Sequence, residues 1–130
     1  MTTLLLRKLI LGAAIGLFSQ IALAQTDGDT KALKQIADIV ADLNHFPSDV
    51  DMTTLEEIMS SADISQTVLI MADTVANIEH AANEEGKGAM AAIQANAQAS
   101  ESAKVLAEVI EQLSHTASAD AKNMLAQTFP

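Results

Sequence analysis

The sequence predicts an all-α fold of three tandem αα-hairpins of about 35 residues each, forming a short α-solenoid or a compact six-helix bundle. Three observations predict it. His45, His80 and His115 stand 35 residues apart. Ahead of each His, apolar residues recur at spacings of 4 and 3, as Ile36, Val40, Leu43, then Met71, Val75, Ile78, then Leu106, Ile110, Leu113; that is one face of an amphipathic helix. Small polar residues also recur in two fixed columns, Thr30, Ser65 and Ser100 upstream and Ser48, Asn83 and Ser118 just past the His. A hydroxyl or amide there can accept an orphan backbone N–H as a helix N-cap.

The elements follow in order. In the first unit, residues 30–64, Thr30 is expected to cap a helix over 30–45, which must stop before Pro47 because the ring disfavours helical geometry in the residue ahead of it. Ser48 then caps a shorter helix over 49–60 that carries Leu55 and Ile58. In the second unit, 65–99, Ser65 opens a helix over 65–81 and Asn83 precedes a helix bearing Met90 and Ile93. Gly86 and Gly88 weaken its start, so it is placed at 86–98. In the third unit, 100–130, helices are expected at 101–115 and 119–127, behind Ser100 and Ser118. The connections between paired helices are so short that the chain must fold back antiparallel.

Other columns keep the same period: Ala37, Ala72 and Ala107; Asp38, Asp73 and Glu108; Leu55, Met90 and Leu125. One hairpin cannot bury its apolar face alone, so the three are expected to share a core centred on Val40, Leu43, Val75, Ile78, Ile110 and Leu113. The period is one residue longer than that of tetratricopeptide repeats, but the Trp, Leu-Gly, Tyr and Pro signature of those repeats is absent from all three units. The period alone identifies no family.

The first 24 residues read as an export signal rather than as part of the fold. Arg7 and Lys8 form a basic start, Leu9 to Phe18 an apolar run, and Ala22-Leu23-Ala24 a small-x-small cleavage pattern, which makes Gln25 the expected mature N-terminus. The run is shorter than the roughly 20 residues of a membrane-spanning helix, so no stable membrane anchor is expected after cleavage. The expected destination is the bacterial periplasm, with release from the cell as the alternative.

Composition narrows the function classes. Loss of Arg7 and Lys8 takes the formal net charge from −10 to −12, a field that repels phosphate backbones and argues against nucleic acid. Only Phe46 and Phe129 are aromatic past residue 24, too few for the stacking platforms that hold sugars or bases. There is no Cys, hence no disulfide. The paired carboxylates Glu56-Glu57 and Glu84-Glu85 sit where acidic residues complement a helix N-terminus. No nucleophile elbow, phosphate loop or HExxH motif is present, so no catalysis and no cofactor are expected.

His45, His80 and His115 are the residues with chemistry to offer. The favoured reading is structural: each His ends its helix against its own turn, in separate surroundings, where an imidazole suits free carbonyls. The alternative is a metal- or pH-responsive binder. In a linear stack neighbouring helices lie about 8–10 Å apart, too far for one ion to reach all three imidazoles; only a closed, three-fold-like bundle brings them together. The expected role is an exported interaction or structural module with a protein or peptide partner, an assignment resting partly on what helical repeats usually do.

Overall fold

The computed structural model describes residues 27–130; the leader and Gln25 lie outside them. Within that range the chain folds into six helices and no strands: α1 (Asp27–Asp42), α2 (Asp49–Ser60), α3 (Gln66–Ala76), α4 (Glu84–Ala95), α5 (Glu101–Gln112) and α6 (Ala119–Thr128). None of them is long and apolar enough to cross a membrane.

Five helices begin at a side-chain cap. Ser48 accepts from the Asp51 amide, Ser65 from Val68, Asn83 from Gly86, Ser100 from Ala103 and Ser118 from Ala121. In each case the cap residue is extended and its oxygen satisfies the third amide of the helix, one of four left unpaired by helical geometry. Thr30 does not behave this way. It lies inside the first turn of α1, which reaches back at least to Asp27. Asp29 gives the physical reason. Its carboxylate is buried and accepts from the Ser65 amide at 2.7 Å, so extending α1 ties its start to the cap of α3.

Helix ends also depart from expectation. The helices leading to each His stop at Asp42, Ala76 and Gln112, short of residues 45, 81 and 115. Their last turns tighten, with Leu43, Ile78 and Leu113 donating to the carbonyls three residues back, and those three apolar residues are buried. The chain must leave the helix there to keep them in the core. Helix α4 starts earlier than its glycines suggested. Gly86 is buried against Thr74 of α3, and a Cβ on it would meet the Thr74 methyl at 2.8 Å. This glycine serves close helix approach.

The packing is cyclic. Helices α1, α3 and α5 all touch one another, and each pairs with the helix that follows it, α2, α4 and α6. Each following helix also packs on the next pair: α2 on α3, α4 on α5, and α6 back on α1. That last contact separates a closed bundle from an open solenoid. The core is one cluster of Ile, Leu, Val, Met and Ala containing all six residues expected at its centre. The alanine column, Ala37, Ala72 and Ala107, is buried on the three mutually touching helices, where small side chains let helix axes approach. Gln94 donates to Glu111 at 2.8 Å, adding a polar tie between α4 and α5.

Candidate functional site

Closing the bundle gathers the three His turns at one end. His45, His80 and His115 adopt φ values of 73°, 71° and 67°, the only positive values among the described non-glycine residues. The left-handed region is costly for most residues with a Cβ; Gly occupies it freely, and Asn, Asp and His tolerate it better than other types. The backbone conformation is imposed by a ring of hydrogen bonds. The His80 amide donates to the His45 carbonyl at 2.5 Å, the His115 amide to the His80 carbonyl at 2.5 Å, and the His45 amide to the His115 carbonyl at 2.6 Å. At the third turn, the Thr116 amide also donates to the Ser114 carbonyl at 2.7 Å across the His, as in a three-residue turn.

The side chains cluster above this ring. All three pairs of imidazole centroids are 5.0 Å apart, with interplanar angles of 87°, 88° and 58°. The expectation of separate surroundings is therefore overturned. The three imidazoles face one another because the bundle closes, a condition the period does not encode. His45 Nδ1 donates to Asn44 Oδ1 at 2.6 Å, since a carboxamide oxygen can only accept. His115 Nδ1 lies 3.2 Å from Ser114 Oγ. His45 is half-buried, while His80 and His115 are exposed. Among the described residues, no group of three or more His, Asp or Glu side chains stands ready-made around a metal position.

Beside the His ring lies an open groove of about 510 Å³ lined by Phe46, Pro47, Met52, Ala76, Asn77, Ile78, Glu79 and His80. It runs between the first helix pair and the second. Phe46 forms part of its wall and is 61% exposed; Val50, at the start of α2, is 75% exposed. The repeat columns that agree do not reveal this patch. The signal lay in columns that disagree. At the period of 35, Phe46 corresponds to Ala81 and Thr116, Val50 to Glu85 and Asp120, and Met52 to Lys87 and Lys122.

No family model, curated protein or solved structure matches this chain.

Proposed function

We propose that this chain is an exported interaction protein whose first helix pair captures a cationic, apolar-bearing peptide segment of another protein. The observation that supports this reading is the substitution pattern around the groove. The turn folds equally well with Ala81 or Thr116 next to the His, so its geometry does not require an aromatic ring at Phe46. Nor does the core, since Phe46 is largely outside it. The same holds for Val50, whose counterparts are acidic. Single exposed apolar residues are ordinary, but Phe46 and Met52 line one groove and Val50 adds a third apolar departure on the same helix pair, which supports a contact surface. Glu79 on the groove wall and Asp49 and Asp51 in the first turn of α2, together with the overall negative charge, favour a basic partner. Export rests on the leader over residues 1–24 and requires that the recovered protein begin at Gln25, which an intact mass of the exported material decides.

The binding surface is tested by replacing its three residues with those of the third helix pair: Phe46→Thr, Val50→Asp and Met52→Lys. These side chains already occupy equivalent positions in the same molecule, so helicity is expected to be kept; Met52 packs partly against the core, so a modest fall in melting temperature is expected. Peptides selected against the protein from a random display library are expected to be basic and apolar, to shift the amide resonances of Phe46, Met52 and Ile78, and to lose binding to the triple variant. Equal binding to the triple variant contradicts the proposal.

A further inference from the structure

We infer that the apex formed by His45, His80 and His115 binds one first-row divalent metal ion of the zinc class through three imidazole nitrogens. The geometry carries the inference. Zinc takes imidazole nitrogen at about 2.0–2.1 Å, which places each ring centroid a little over 3 Å from the ion; three rings at tetrahedral angles then have centroids roughly 5 Å apart. The three centroids here are 5.0 Å apart in every pair. The spacing is already that of a three-imidazole ligand set. In the present rotamers the rings pack edge to face or tilted, and among the described residues no group of three such side chains is positioned to hold an ion. On this inference an ion turns the rings about their side-chain bonds until three nitrogens face it.

A second, independent observation is the backbone itself. Three times the chain places a β-carbon at a φ near 70°, where Gly would be unstrained. The surrounding hydrogen-bond ring holds each residue in this conformation. The fold needs only the amides and carbonyls of these residues, which any residue type that tolerates the conformation supplies. Asn and Asp tolerate the conformation as His does, yet all three turns carry an imidazole.

Outer contacts suit the same role. The His45 Nδ1–H is engaged by Asn44 Oδ1, so the neutral ring carries its free lone pair on Nε2, and the ring is oriented by a partner of the kind that steadies metal-bound imidazoles. The sign of the protein's charge, −12 without the leader, raises the local concentration of cations. Donor type sets the class of ion. Imidazole suits zinc, copper and nickel, whereas magnesium and calcium demand oxygen ligands.

Calorimetric titration of the chain over residues 25–130 with zinc chloride tests the inference, with magnesium chloride in parallel. The expected result is one zinc per chain at micromolar or tighter affinity, no magnesium binding, and imidazole proton resonances of all three His shifting together up to one equivalent. His80→Asn keeps a residue that tolerates positive φ and removes one ligand, so zinc affinity should fall at least tenfold while helical circular dichroism is unchanged. Absence of saturable zinc binding overturns the inference, as does unaltered affinity in His80→Asn or a shift confined to one His resonance. The resonance measurement needs no variant, so it decides the matter even where His80→Asn folds poorly.

Discussion

The His45 amide donates to the carbonyl oxygen of His115 at 2.6 Å, joining the turn of the first helix pair to the turn of the last. In an open array of three hairpins these two residues would stand at opposite ends, separated by the middle pair. Here they are direct neighbours, and the α6–α1 contact closes the other side of the same circuit. Closure removes the exposed terminal faces that an open stack must cover with polar capping units. It also turns a column of residues spread along the sequence into a cluster at one point.

The positive φ at His80 separates backbone demand from side-chain demand. His80→Asn is expected to change unfolding free energy by under about 0.5 kcal/mol, because Asn tolerates the left-handed region. His80→Val is expected to cost about 1–3 kcal/mol more than His80→Asn, because a β-branched residue is a true outlier there. Denaturant unfolding of the two variants side by side checks this. Equal stability of the two would mean the turn relaxes to negative φ without penalty.

Gly86 and Thr74 should be coupled. Gly86→Ala alone gains about 1 kcal/mol of helix propensity but drives a methyl into the Thr74 methyl at 2.8 Å, and overpacking of that kind costs about 1–3 kcal/mol. A net loss is expected. Thr74→Ser removes the obstructing methyl and keeps the hydroxyl, which donates to the Ile70 carbonyl at 2.8 Å. In that background Gly86→Ala is expected to stabilise the protein. A double-mutant cycle reads the change of sign; additive effects would contradict the packing account.

Thr67 holds a buried hydroxyl without a hydrogen-bond partner, in the first turn of α3. An unsatisfied buried polar group carries a desolvation cost with nothing to offset it. Thr67→Val keeps the shape and removes that cost, so a gain of roughly 1 kcal/mol is expected in thermal or denaturant unfolding. A loss of similar size would show that the hydroxyl is satisfied in solution.

What the sequence made legible was local. The spacings of Ile36, Val40 and Leu43 and of their counterparts fix a buried face because a helix repeats every 3.6 residues, and all of these residues are core. The caps at Ser48, Ser65, Asn83, Ser100 and Ser118 follow from short-range hydrogen bonding. Thr30 misled because Asp29 finds its partner on another helix, at Ser65, and no local pattern announces that. The three His were visible as a column, but their meeting depends on the rotation from one helix pair to the next, which a period of 35 leaves unspecified. The groove escaped for the opposite reason, since Phe46, Val50 and Met52 break the columns that drew attention.

The closed ring of His turns is tested most directly by scalar coupling across its hydrogen bonds. In a long-range HNCO experiment on labelled protein, the His45 amide nitrogen should couple to the His115 carbonyl, His80 to His45 and His115 to His80, and all three amides should exchange slowly with solvent. Couplings of this kind require short, well-aligned bonds, which donor–acceptor distances of 2.5–2.6 Å supply. Three cross-peaks in that cyclic order are the predicted result. Fast exchange of the His45 amide with no coupling to His115, while the helices remain intact, would show that the first and last helix pairs do not meet.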